Sequence, residues 1–266
     1  MKQSLQSAIH PTAIISPGAE IGSGVTIGPY AVIEEDVTIG DRCEIGPHVV
    51  IGEGTRIGKE CRVFPGAAIG LIPQDKKFKG EKTNTIIGNN TLIREYVTIN
   101  RGSAAQGETR IGNDCWIMAY CHIAHDCIIG DDVTISNALA MAGHVEIGNH
   151  VTIGGVCSFH QFTHIGDFAF IQATSYITQD VPPFALTGAN PLRIVDINKI
   201  GLERHGFSEA RRRDIKRAYK ILFRENRTLD DAVINLSKQF PDNPDITKII
   251  VFVEKSSRGL MRMNEK

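Results

Sequence analysis

Six polar side chains crowd one stretch of the sequence: His122, His125, Asp126, His144, His160 and Gln161. A histidine beside a carboxylate, as in His125-Asp126, can be oriented as a general base, and imidazole, with an ordinary pKa of about 6.5, suits proton removal at neutral pH. Adjacency in sequence does not by itself make the two side chains meet. Gly143 stands close by, and its bare backbone N–H could approach a developing oxyanion. Three of the imidazoles, His122, His125 and His144, also make a zinc site thinkable. An isolated histidine is more often a hydrogen-bonded structural residue, which is the reading of His48, His150 and His164.

What would bring such residues together is a repeat. A large apolar residue recurs every sixth position from Ile9 through Ile21, Ile33, Ile45, Ile57 and Val63 to Ile69, resumes at Ile87, Ile93 and Ile99, and runs again from Ile111 to Ile177. Glycine often follows the anchor, as in Ile21-Gly22, Ile39-Gly40 and Ile57-Gly58. A period of six suits no helical face, but it fits a short strand and a tight turn, with glycine expected to relieve the backbone at the corner. Three hexads close a triangular coil, and each coil buries its anchors only against its neighbours. Residues eighteen apart then stack: His125 beneath Gly143 beneath Gln161, and Asp126 beneath His144. His160 lies one coil above Ala142, and His122 lies at the approach to the same corner. The fourth position after each anchor must be small, and all six cysteines (Cys43, Cys61, Cys115, Cys121, Cys127 and Cys157) fall there. They read as small core residues rather than metal ligands or reactive thiols. Period alone does not fix the hand of the coil.

The array is broken by polar insertions at about 70–86 and 100–110, which read as binding loops or as neutral excursions. It ends after Asp180-Val-Pro-Pro183. The expected division is a rod over 1–190 and a helical domain over 191–266, with helices after Ser208, after Thr228 and from Asp245 to Ser257. From Gly201 onward there are fifteen Lys and Arg against ten Asp and Glu, on a chain whose formal charge is −1. Arg211, Arg212, Arg213, Lys216, Arg217 and Lys220 could receive an acidic protein or form a solvated helix face. Nothing global points to nucleic acid or a charged membrane surface, and the start lacks a secretory apolar stretch. No run approaches the roughly 20 apolar residues of a membrane span, so a cytoplasmic location is expected.

The segments His122-Ile-Ala-His-Asp-Cys127, Ala142-Gly-His144, His160-Gln-Phe162 and Gln179-Asp-Val-Pro-Pro183 resemble the lipid A UDP-N-acetylglucosamine acyltransferases, and the resemblance covers nearly the whole chain. It implies a mainly β fold, a left-handed parallel β-helix of hexapeptide repeats with a C-terminal α-helical domain. It also implies transfer of a 3-hydroxyacyl group from acyl carrier protein to the sugar 3-hydroxyl, with His125 as base, Asp126 beside it and Gly143 as oxyanion donor. No metal or tightly bound cofactor is implied. The element Gln74-Asp75-Lys76-Lys77 matches one that contacts the acceptor or acyl group, which places Asp75 and Lys77 in those roles. His122, His144, His160 and Gln161 map to substrate contacts, and Asn198 and Arg204 to the nucleotide end. The family is a homotrimer with active sites between adjacent rods. Asn100, Ile200 and His205 depart from the family pattern, and Gln172-Ala173 stands where acyl length is measured. The rivals are an N-acyltransferase using a 3-amino acceptor, a zinc hydratase on the same fold, a non-enzymatic rod and a CoA-dependent acetyltransferase.

Overall fold

The computed structural model describes residues 8–225 and 228–263. Nearly every hexad yields a two-residue strand ending on its anchor, and these strands stack into three sheets of eleven, nine and eight strands, parallel throughout except for the last strand of the first sheet. The result is a left-handed parallel β-helix, a triangular rod followed by α-helices. Its first face starts with Ala8–Ile9 and Thr26–Ile27, its second with Ile14–Ile15, and its third with Glu20–Ile21. On the second face Thr98 pairs with His122, His122 with Ala140, and Ala140 with Ser158, so the eighteen-residue spacing holds through the uninterrupted coils.

Anchors such as Ile99, Ile123 and Ile153 are fully buried, and each contributes about 1.5–3 kcal/mol of hydrophobic stabilisation. All six cysteines are free and buried. Burial pushes the Cys127 thiol up to about 12, and its Sγ lies 3.2 Å from the Ala142 carbonyl of the next coil. These are packing residues, as their position in the hexad implies.

The expected role of the glycines needs correction. The left-handed backbone sits three residues after the anchor, at Tyr96, Asp126, His144 and their counterparts, most of them not glycine. The cost of that conformation is met by peptide hydrogen bonds between coils, such as His144 N–H to the His125 carbonyl at 3.1 Å. The glycine directly after the anchor answers a different demand. At the edge between the third and first faces it is present at every described turn, from Gly22 and Gly40 to Gly148 and Gly166. At Gly88 a Cβ would stand 2.6 Å from the carbonyl carbon and oxygen of Gly112. Stacked corners approach too closely for a side chain. Along this edge the next residue forms a ladder: Asn113 N–H donates to Asp131, Asp131 N–H to Asn149, and Asn149 N–H to Asp167. Lys248 of the tail closes it with an ion pair to Asp167.

The first sheet continues past the last full coil: Ala185–Gly188 pairs with it in parallel, and Arg193–Ile197 returns antiparallel. Four α-helices follow: α1 (Lys199–Arg204), α2 (Glu209–Lys220), α3 (Leu229–Gln239) and α4 (Pro244–Lys255). Ser208, Thr228 and Asn243 cap the last three, while α1, capped by Asn198, is too short to show a helical period in the sequence. The tail is tied to the rod at Asp180, fully buried, which accepts from Ser256 Oγ at 2.7 Å and from His164 N–H at 2.8 Å. Of the basic residues on α2, Arg211 pairs with Asp245, Arg212 with Glu203, Lys216 with Asp196, and Arg217 and Lys220 with Glu225. Much of that face is thus internally neutralised.

Gly88→Ala is expected to destabilise the rod by about 1–3 kcal/mol, the usual cost of forcing an extra methyl into a closed space. Denaturant unfolding would show it as a lower midpoint with an unchanged slope; an unshifted midpoint would mean that the corners have room after all.

Candidate active site

The polar column lies on the edge between the second and third faces, and both insertions leave the rod from that same edge, after Ile69 and Ile99. Asp126 occupies a left-handed corner with φ of 60° and is wholly buried. Its backbone N–H donates to Thr109 Oγ1 at 2.8 Å. One carboxylate oxygen accepts from Ser103 N–H at 2.8 Å; the other is 2.6 Å from Ser103 Oγ and 2.8 Å from His125 Nδ1. The side chains adjacent in sequence therefore do meet. Burial alone would raise the Asp126 carboxyl, but the bonds from Ser103 and His125 outweigh it and hold the group below the usual carboxylate range. An ionised Asp126 makes His125 Nδ1 the donor and leaves Nε2 as the basic nitrogen.

Gly143 lies directly over that ring, as the stacking arithmetic requires: a Cβ there would be 2.8 Å from His125 Nε2. At the equivalent turn position on the glycine edge, the N–H of Asn113 is taken by Asp131. The Gly143 N–H has no acceptor among the described residues. A free amide and a basic nitrogen thus stand side by side. The remaining groups line the approach. His122 Nδ1 is 2.7 Å from Thr98 Oγ1, and burial lowers the pKa of His122. His144 stacks on Phe162 with centroids 4.5 Å apart and brings Nε2 within 3.5 Å of Asp126; burial lowers its pKa despite the attraction of Asp126. Both histidines favour the neutral form. From the first loop, Asp75 Oδ2 lies 4.0 Å from His125 Nε2. The open groove, about 410 Å³, is lined by Gln74, His122, His125, Ala140, Gly143 and Ser158 among others.

Two groups had no signature in the sequence. Ser103 sits in an aperiodic insertion, held by loop-to-loop bonds: Asn100 Nδ2 to the Ile72 carbonyl at 3.0 Å and Thr83 Oγ1 to the Gly102 carbonyl at 2.7 Å. Arg258, from the tail, donates to His160 Nδ1 at 3.0 Å. A nitrogen accepting from guanidinium cannot also donate to the nearby Gln161 carbonyl, so His160 carries its proton on Nε2. As for metal, donor atoms of His125, Asp126 and His144 do come together, whereas His122 is engaged with Thr98. An ion would have to displace the bonds that Ser103 and His125 make to Asp126.

Comparison with known proteins decides the family. The chain matches the model described as UDP-N-acetylglucosamine O-acyltransferase, domain 2, over residues 180–261, and the bacterial transferase hexapeptide model over 18–53, 36–70 and 108–138. It is 52% identical over 261 residues to the acyl-[acyl-carrier-protein]–UDP-N-acetylglucosamine O-acyltransferase of Paracidovorax citrulli, covering 96% of this chain and 100% of that one. The chain belongs to the UDP-N-acetylglucosamine O-acyltransferase family. Solved UDP-N-acetylglucosamine acyltransferases superpose closely. That of Bacteroides fragilis has a TM-score of 0.93 at 41% identity, with 95% of this chain and 99% of that chain covered. That of Francisella novicida has a TM-score of 0.93 at 35% identity, with 96% and 94% covered.

In this acyltransferase not every expected site residue converges within one chain. Lys77 and Gln161 are exposed on the column's own edge. Gln172 and Ala173 are exposed on the edge between the first and second faces, across the second face from His125. Asn198 caps α1 with its carbonyl and donates its amide to the Phe168 carbonyl at 2.9 Å, beside the glycine edge. Arg204, exposed, ends the same helix.

Ser103→Ala is expected to lower turnover by about tenfold, equivalent to about 1.4 kcal/mol at the barrier, by loosening Asp126, and Ser103→Thr to restore it. It should also cost stability, about 1.5–3 kcal/mol for a hydrogen bond to a charged group. Because the folded-state value of Asp126 is depressed, that contribution is present above the unfolded value of about 3.9 and is lost as pH falls through the folded value. The stability gap between parent and Ser103→Ala is therefore full near neutrality and narrows in acid; a gap independent of pH would show that Ser103 does not act through the carboxylate.

Proposed function

We propose that the protein transfers a 3-hydroxyacyl chain from acyl carrier protein to the 3-hydroxyl of UDP-N-acetylglucosamine, the first step of lipid A biosynthesis. The observation that carries this reading is the His125–Asp126 dyad, 2.8 Å apart, with the basic Nε2 beside a Gly143 N–H that is unpaired among the described residues. The imidazole Nε2 takes the proton of the sugar hydroxyl as its oxygen bonds to the thioester carbonyl carbon. Asp126 stabilises the imidazolium that results, and Gly143 N–H donates to the tetrahedral oxyanion. Collapse of the intermediate breaks the carbon–sulfur bond, and the departing thiolate recovers the proton from His125. Every step uses groups of this chain and its substrates.

His122, His144, His160, Gln161, Asp75 and Lys77 are assigned to holding the acceptor and the acyl thioester around that dyad. Asn198 and Arg204 are assigned to the nucleotide, and Gln172 with Ala173 to acyl length. In this reading residues 1–190 supply the chemistry and 191–266 the nucleotide end. Because the last two groups stand on other edges of the rod, the complete site needs a neighbouring copy, which accords with a homotrimer. Exposed aromatic side chains support such packing: Tyr96 and Tyr120 stack at 5.4 Å along the edge that carries Gln172 and Ala173. Acyl carrier protein is a cytoplasmic donor, so the reaction is placed in the cytoplasm. No helix among the described residues is long and apolar enough to cross a membrane.

Incubation with UDP-N-acetylglucosamine and 3-hydroxyacyl carrier proteins of several lengths tests the assignment. Acyl transfer is expected, with His125→Ala lowering it by about 10²–10⁴-fold, the usual contribution of a general base. Transfer undiminished in that variant would remove the proposed base. In the same assay Ala173→Gly should shift the preference toward longer chains by widening the groove, and identical chain-length profiles would refute the assignment of Ala173.

A further inference from the structure

A second cluster of imidazoles and carboxylate lies well away from the dyad, on the edge where the third face turns into the first. Asp132 and His150 occupy the same left-handed corner position in consecutive coils, with φ of 52° and 58°. His150 N–H donates to the Asp131 carbonyl at 2.9 Å, which fixes the spacing of the two residues. His205 comes from the end of α1, where its N–H donates to the Gly201 carbonyl. Three separate segments of chain therefore converge on one point. His150 Nδ1 is 2.9 Å and His205 Nδ1 is 4.0 Å from Asp132 Oδ2, and one donor atom from each residue falls within 4.8 Å of the others.

We propose that Asp132, His150 and His205 form a binding site for a divalent transition ion of the zinc class, which ties the end of α1 to the rod. Ligands at about 2.0–2.2 Å in tetrahedral array place their donor atoms about 3.3–3.6 Å from one another. The observed separations of 2.9 and 4.0 Å bracket that range, and the larger closes by rotation of the exposed His205 side chain. Two imidazoles and one carboxylate are the donor set that zinc, nickel and cobalt accept with an open position left for water.

The surroundings are those of a site rather than of a chance encounter. Phe168 stacks on His150 with centroids 4.5 Å apart and meets His205 edge-on at 5.4 Å. Phe168 is itself braced by Phe207 at 5.0 Å and Phe184 at 5.8 Å, so both imidazoles have a stiff apolar backing. Two further carboxylates stand near Asp132, Asp114 at the same corner one coil below and Asp131 just before it, while the nearby cations lie over the aromatic backing, Lys248 5.8 Å from the Phe168 ring and Arg211 3.8 Å from the Phe207 ring. Among the described residues, Asp132 forms its side-chain pairs with these two imidazoles and with no Lys or Arg. The site belongs to neither the dyad nor its groove, and it stands whether or not the proposed acyl transfer is correct.

The test uses full-length protein stripped with chelator and titrated with Co²⁺, whose visible d–d bands report an ordered ligand field. One saturable equivalent per chain is expected, displaced by Zn²⁺, with the thermal midpoint raised by Zn²⁺. His205→Ala and Asp132→Asn should each weaken binding by more than about tenfold, since losing a ligand costs no less than losing an outer-shell partner. Both changes sit at exposed positions outside the core, so circular dichroism should confirm an unaltered fold. His125→Ala, which removes a donor from the other cluster, should leave uptake unchanged. Absence of saturable uptake, uptake unaffected by either His205→Ala or Asp132→Asn, or uptake lost in His125→Ala would overturn the proposal.

Discussion

The peptide hydrogen bonds between consecutive coils are the constraint on which every other feature depends. Each strand has only about two residues, so none could hold its register alone; the ladder of Thr98, His122, Ala140 and Ser158 is kept in line by the coils on either side. This vertical order determines that a residue without a side chain, Gly143, lies over an imidazole, and that Asp126 lies under His144. The same order makes the core intolerant of bulk and explains why cysteine serves as well as valine or alanine inside the rod.

The loops finish what the coils begin. A rod edge can bring His125 near Asp126, but it offers nothing to satisfy a carboxylate with no exposure to water. Ser103 does so with two bonds, from a loop that is itself held by Asn100 and Thr83. The first loop presents Asp75 to the opposite nitrogen of the same ring. A regular scaffold therefore sets the distances between the reacting groups, and two irregular excursions bring further polar groups to them, Ser103 to the carboxylate and Asp75 to the imidazole.

The fold was legible because it is periodic. The anchors, the small fourth position and the eighteen-residue stacking could be read from Ile111 to Ile177 without coordinates, and with them the pairing of His125 with Gly143. The purpose of the glycines was misread, since sequence shows that a residue is small but not whether torsion or crowding demands it; at Gly88 it is crowding. Ser103 and Arg258 escaped because neither obeys the repeat. Periodicity also fixes height along the rod better than it fixes which edges meet: Gln172, Asn198 and Arg204 stand apart from the dyad within one chain. His150 read as an isolated structural histidine because its third companion, His205, comes from the aperiodic tail.

The side-chain ladder on the glycine edge alternates amide and acid: Asn113, Asp131, Asn149, Asp167. Each carboxylate receives a backbone N–H and has a neutral neighbour, and the last is discharged against Lys248. Slow chemical ageing of the amides would undo this arrangement. Deamidation of Asn149 would set three anions in consecutive coils, where like charges repel through a stack that cannot spread apart. The regularity that makes the rod stiff also leaves it without slack to absorb one misplaced charge.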